Sequence, residues 1–404
     1  MKPDRYSGGH IHLVRSLVMI QHLPFSARRR KGAIAVLAAV LMVAFIAVMA
    51  FAVDIGYILQ IRTELQRTAD ASALAACWEY LQTQPLATTV TQTLTNVRSK
   101  ASQYALSNAV GNAAPAVDLN AANAATGDLV LGYIANPSNL NATMNYNDPS
   151  MFNSVQVRVQ ASEERNGATP FFFARIFGLS SLELGASATA AMNRNVQGFQ
   201  TPTDGSNLGI LPFALDEVTW NALLAGQTPD SYSWDNSAKT VQTGADGVRE
   251  VNLYPQGTGS PGNRGTVDIG SNNNSTADLS RQIVNGVSAS DLAHHGGELR
   301  FNDQGTLSLN GDTGISAGVK DELASIIGKP RMIPIFRTVQ GPGNNAQYTI
   351  VKFVGVRILA VKLTGSASSK YVMIQPANMV SKGIIPAATS GFSDFIYSSP
   401  YLIR

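Results

Sequence analysis

Several short patterns in this 404-residue chain hold residues of the right types for catalysis or ligand binding. Gly314-Ile315-Ser316-Ala317-Gly318 has the G-x-S-x-G spacing that lifts a serine Oγ out of a strand-to-helix turn. That chemistry needs a buried strand leading into the turn and a histidine to take the serine proton. Here Asn310-Gly311-Asp312-Thr313 is turn-like and no histidine follows His295. The motif therefore reads as a glycine-bounded turn, with Ser316 placed to cap a helix over residues 319–327. Gly257-Thr258-Gly259-Ser260-Pro261-Gly262 matches G-x-G-x-x-G, but dinucleotide binding needs a helix start behind it, and Pro261, Gly262 and Gly265 deny one. His294-His295-Gly296-Gly297-Glu298 carries metal-ligand types without H-E-x-x-H or any third spacing. Asp303, Asn310 and Asp312 could line a loose calcium site, yet no EF-hand pattern surrounds them. The expectation is a protein that is not an enzyme and has no catalytic, cofactor-binding or metal-binding residues.

The composition behind these patterns is low in charge. Charged residues make up 14% of the chain, against about 25% in an average globular protein. The hydrophobic fraction of 45% excludes disorder throughout. The single cysteine, Cys77, excludes an intramolecular disulfide framework and a cysteine-rich zinc site. Leu74-Ala75-Ala76-Cys77 has the look of a lipobox, but it lies far beyond the apolar run, so a buried, unreactive Cys77 on a helix is the better reading. The net charge of +3 is uneven: residues 1–31 carry seven basic side chains and one acidic, and the remainder 23 basic and 26 acidic. Recognition of nucleic acid needs a basic face on a folded domain, so no nucleic-acid partner is expected.

The basic leader has a different meaning. Arg28, Arg29, Arg30 and Lys31 stand directly before Ala33–Val53, 21 residues without a charge. At 1.5 Å per residue that run covers about 32 Å, enough for a hydrocarbon core of about 30 Å. Basic residues favour the cytoplasmic side. The expectation is a basic cytoplasmic leader at 1–31, a transmembrane helix at 32–53 in the membrane lipid, and everything after it outside the cytoplasm. Ala50-Phe51-Ala52 also fits a signal-peptidase site, which leaves cleavage after Ala52 open.

From Asp54 to Tyr80 there is no proline, and Pro85 ends the segment at the latest. Ile58, Leu65, Ala69, Ala73, Ala76 and Tyr80 recur at a near-helical period. The expectation is a juxtamembrane helix over 54–82, continuing the span as a stalk. Its small face either packs on a partner helix, giving a homo-oligomer through residues 33–80, or packs on its own domain. Gly56 marks a place for a kink. Asp54 sits either as a functional carboxylate at the membrane edge or simply among headgroups.

The stretches Arg29–Val36, Ala50–Tyr57 and Leu65–Ala76 together resemble the N-terminal module of the TadE/TadG-like Flp pilus-assembly proteins. The residues that carry the motif include Asp54, Gly56, Gln66, Ala69 and Asp70. The resemblance implies a single-pass protein of the bacterial inner membrane that works with other pilus-assembly or pilin-like proteins of a tight-adherence system. Some relatives are cut by a prepilin peptidase after a glycine, which here would be Gly32. The fifth residue after it is Leu37 rather than glutamate, a departure from that pattern. The alternative reading of the same anchor is an extracytoplasmic ligand-binding or sensing module unrelated to pili, and a hydrolase built on Ser316 stands as a third.

The rest of the chain reads as a strand-rich α+β region. Residues 83–127 are linker-like, with a short helix over 97–110. Residues 128–192 form an α+β subdomain with strands at 128–135, 154–161 and 182–192 and a short apolar helix over Pro170–Gly178. Val155, Val157 and Val159 alternate with Gln156, Arg158 and Gln160, the mark of a half-buried strand. Asp128, Asn153-Ser154-Val155, Phe172-Phe173, Ile176-Phe177-Gly178 and Ala188-Thr189-Ala190 resemble the membrane-distal part of TadG-like proteins. Some of those carry a D-x-S-x-S metal motif, and the segment Asp268-Ile269-Gly270-Ser271-Asn272 lacks both serines. Residues 193–404 form a strand-rich C-terminal region. Within it Ile350–Leu363 is too short and too charged for a second span and is expected as one long strand bent near Gly355, or a strand pair.

Overall fold

The computed structural model describes residues 31–139, 141–255, 259, 264–271, 273–312, 317–387 and 392–403. The arginines of the leader, Ser316, and all of the G-x-G-x-x-G segment except Gly259 lie outside them.

The apolar run and its polar continuation form one helix, α1, from Lys31 to Gln82. Its 52 residues span about 78 Å, and it runs unbroken through Gly56. The two halves differ sharply. Residues 34–49 are exposed on every face, as are Phe51, Ala52 and Val53. From Ile61 onward one face is buried: Ile61, Leu65, Ala69, Ala73, Ala76, Cys77 and Tyr80. Cys77 is fully buried and its Sγ donates to the Asn153 carbonyl at 3.7 Å. Burial pushes its thiol pKa well up, as an inert core cysteine requires.

The small face packs on the protein's own chain. Helix α2, Val90–Ser107, lies against it. So does a four-stranded sheet ordered β1 (Leu129–Gly132), β2 (Ser154–Ala161), β3 (Leu184–Ala191) and a C-terminal strand, Tyr401–Leu402. All its pairings are antiparallel. Val155, Val157 and Val159 point into the core with the α1 alanines, while Gln156, Arg158 and Gln160 stay half-buried. The alternation seen in the sequence is thus the inside–outside alternation of β2.

The segment expected to be linker-like holds an 18-residue helix, longer than the short one expected within it. α2 starts at Val90, seven residues before the expected Val97. Thr89 and Gln92 form a reciprocal capping box that satisfies the first amides. Val97, Ala101 and Ala105, at i, i+4 and i+8, are buried against α1. The Gly111–Thr126 portion is loop, as expected.

The C-terminal region is built on a second sheet. Its centre is a three-strand antiparallel meander: β4 (Pro330–Gln340), β5 (Gln347–Lys362) and β6 (Tyr371–Pro376). The apolar run over 350–363 is therefore a single buried strand. Its register irregularities fall at Ile350–Lys352 and at Ile358–Ala360 rather than at Gly355. A Cβ on Gly355 would collide with the carbonyl oxygens of Ala377 and Phe395, so glycine here allows close backbone approach. The helix expected over 319–327 is shorter, Lys320–Ser325, and Val319 at its start gives no side-chain cap. The boundary at 192–193 is bridged by Tyr401–Leu402, which returns from the second region to pair with Ala191 and Ala190 of β3.

Candidate interaction site along the membrane-proximal helix

Several polar side chains of α1 past its apolar half reach distant segments. Asp54 is 3% exposed. Its carboxylate accepts three backbone N–H groups from the loop after β2: Phe172 at 2.8 Å, Phe173 at 3.1 Å and Ala174 at 2.8 Å. They lead into the short 3₁₀ turn Ala174–Phe177, which Gly178 closes in the left-handed conformation. Burial raises the Asp54 pKa, but the three amide donors outweigh it and hold the carboxyl below its ordinary range. One turn on, the Tyr57 ring meets Phe172 edge-to-face with centroids 5.0 Å apart.

Further along, Glu64 accepts the Gly111 N–H at 2.7 Å, and that bond lowers its pKa. Thr68 Oγ1 donates to the Asn108 carbonyl at 3.1 Å, and an Arg67 guanidinium nitrogen to that of Ala109 at 3.3 Å. Gln66 Nε2 donates to Asp70 at 2.8 Å and to the Ser187 carbonyl of β3 at 3.3 Å. Ala69 is fully buried and Asp70 half-buried. A Cβ at Gly56 would meet nothing within 4 Å, so no contact described here requires glycine there.

The far end of α1 is tied as firmly. Asn378 Nδ2 donates to the Thr83 carbonyl at 2.9 Å and lies 3.4 Å from those of Tyr80 and Leu81. These are the orphan acceptors of a helix C-terminus. Gln84 adds a bond to Asp246 at 2.8 Å. Both partners belong to the C-terminal region, so α1 is held to β3, to the loop at 172–174 and to residues beyond β6.

The sequence-predicted sites distribute unevenly over this arrangement. Asp54, Gln66, Ala69 and Asp70 share the helix and its contacts, and Gly56 faces open space. Gly32 and Ala52 both lie within the continuous α1. Arg28, Arg29 and Arg30 fall outside the described residues. The His294 and His295 rings contact each other edge-on at 5.3 Å. Among the described residues no group of three His, Cys, Asp or Glu side chains is placed to hold a metal. Asp268 accepts from the Asn274 amide at 2.8 Å and from Asn310 Nδ2 at 3.1 Å, both of them bonds that order loops. Asn378, and the loop partner of Asp54, carry no local sequence signal: one lies 295 residues from the carbonyl it caps and the other 118 from its carboxylate.

Residues 32–82 match the family described as putative Flp pilus-assembly TadE/G-like. Residues 82–190 match a second family, putative Tad-like Flp pilus-assembly. Together the two matches cover residues 32–190, and over that stretch the chain is similar to Tad-type Flp pilus-assembly proteins. The two matches meet at the end of α1, so the first covers the helix and the second covers α2 and β1–β3, the elements against which it packs. No curated protein and no solved structure matches the chain.

Proposed function

We propose that this protein is a single-pass, membrane-anchored component of a bacterial Flp pilus-assembly or adherence system, acting through protein contacts and not as an enzyme. The observation that carries this reading is the division of α1. Among the described residues, its apolar part from 34 to 49 is exposed on every face, and from Ile61 its polar part is built into the core of the folded region. Residues 34–53 contain eleven Ile, Val, Leu or Phe side chains. At about 0.3–0.6 kcal/mol each toward insertion, they favour lipid by about 3–7 kcal/mol. The four-residue basic run before them orients the leader toward the cytoplasm and the folded region outward.

Mechanically, α1 acts as a rigid post. A helix free beyond the membrane would let the folded region swing. Here the contacts of Asp54 at one end and Asn378 at the other fix the folded region's height and orientation above the bilayer, as a platform for other pilus-assembly proteins needs. The small-residue face from Leu65 to Tyr80 is already occupied by α2, β2 and β3, so pairing with a second copy falls to residues 34–53.

Deleting the gene in a bacterium that assembles these pili should abolish or sharply reduce pili and surface adherence. The full chain should restore them, and a chain with 34–53 replaced by a cleavable secretion signal should not. Wild-type pili and adherence in the deletion strain would refute the reading.

A further inference from the structure

Ten residues after β2, the segment from Phe171 to Leu182 exposes a density of large apolar side chains not matched elsewhere beyond residue 53 among the described residues. Phe172 is 55% exposed, Ile176 82%, Phe177 75% and Leu179 55%, with Phe173 and Leu182 also exposed. Between Thr169 and Ser181 the one charge is Arg175. A patch of this kind is a liability in water, and this one is held in a fixed place. The Asp54 carboxylate pins its first three amides to the outer end of the apolar half of α1. From there it runs back along the helix: Ala174, Phe177 and Leu179 share an apolar groove with Ala47, Val48, Phe51, Ala52 and Ile55. Ala47 lies seven residues before Asp54, about 10 Å toward the centre of the span.

Resting on the membrane-anchored reading above, we propose that residues 172–179 are a second membrane element, a hydrophobic pin that dips into the outer leaflet of the bilayer crossed by α1. The occupant of its exposed face is lipid acyl chain. Two features favour lipid over a partner protein. The pin's apolar surface is continuous with that of the span, so any bilayer that covers residues 47–52 must also meet Ala174, Phe177 and Leu179. Ile176 and Phe177 project outward, whereas helix–helix seats in membranes are close-fitting and lined by small residues. Aromatic residues are the side chains that settle at the interface, and the long stem of Arg175 can carry its charge back to the headgroups. The pin gives the folded region a second point of attachment, and two points restrain a tilt against the bilayer that one helix leaves free.

The test uses the full chain in phospholipid vesicles, with an environment-sensitive fluorophore on single introduced cysteines. Ile176→Cys and Phe177→Cys report on the pin, Val43→Cys on the span, and Val218→Cys on an exposed position of the helix Glu217–Leu224 in the C-terminal region. Native Cys77 is buried, and the unsubstituted chain measures its background labelling. Lipids carrying a nitroxide high or low on the acyl chain serve as quenchers. The expected result is at least twofold quenching at 176 and 177, stronger from the high nitroxide; quenching at 43, stronger from the low one; and none at 218. Pin labels that behave like the one at 218 while 43 is quenched would overturn the pin and leave the anchor standing. Blue-shifted, unquenched pin labels would overturn it in favour of a protein seat. An unquenched label at 43 would overturn the anchor and the pin together. Two independent pin positions keep the result readable if one substitution misfolds.

Discussion

Packing of α1 on its own domain predicts how Ala73→Leu behaves. Ala73 is fully buried with Leu65, Ala69 and Ala76 on the face toward α2, β2 and β3. Leucine adds three carbons to a closed interface. Overpacking of this kind costs about 1–3 kcal/mol, and at roughly 2–4 °C per kcal/mol for a region of this size the unfolding midpoint should drop by about 2–12 °C. Leu65→Ala, which removes buried carbons from the same face, should cost about 2–5 kcal/mol. Arg62→Leu, on the exposed side of the helix, should stay within about 0.5 kcal/mol. The assay is thermal unfolding of the full chain in detergent, followed by circular dichroism at two protein concentrations tenfold apart. An intramolecular interface gives the same shifts at both concentrations. A near-zero shift for Ala73→Leu, or shifts that grow on dilution, would refute the reasoning and return this face to a partner helix.

Other consequences follow from the helix ends and the buried acids. Asp54→Ala should release the amides of Phe172, Phe173 and Ala174, raising their hydrogen-exchange rates at least tenfold while those of β2 stay slow; unchanged rates would mean that the carboxylate does not hold the loop. Asn378→Ala leaves the Thr83 carbonyl without its side-chain donor and should lower stability by about 1 kcal/mol, read as a drop in the urea midpoint; an unchanged midpoint would leave the cap without energetic weight. Stability should also follow pH in two opposed ways. Burial raises the Asp291 carboxyl, but Arg281 at 2.7 Å and 2.9 Å and the Ser288 amide outweigh it and hold its pKa at about 2, below its ordinary 3.8. Its stabilisation is complete above pH 3.8 and disappears as the pH falls toward 2. Burial first, with the charge of Asp312 adding to it, pushes Asp268 up to about 6, so its contribution grows as the pH falls from 6 to 3.8. The unfolding midpoint should therefore rise on mild acidification and fall below pH 4, and Asp268→Asn should remove the rise; a rise that persists in Asp268→Asn would assign it to another group.

The sequence alone determined α1 and β2, because both depend on local patterns. A charge-free run of 21 residues after a basic block, and no proline until Pro85, dictate one long helix. The Val155, Val157, Val159 alternation dictates a strand with one buried face. The capping box at Thr89 and Gln92 was also present in the sequence, as T-x-x-Q, and its position explains why α2 begins earlier than its apolar spacing alone suggests. The alanine face of α1 was legible as a packing face, yet its spacing is equally suited to a second helix or to a sheet, and Ile58 proved half-buried where Ile61 is fully buried. Only the tertiary structure decided the partner, since that depends on where β2 and β3 come to lie. Asp54 shows the same limit. A carboxylate at the end of a span has several uses, and its use here as a cap for amides 118 residues away exists only once the chain has folded back. A hydrogen bond has no sequence period, so the contacts that fix both ends of α1 could be read from the fold but not from the spacing of residues.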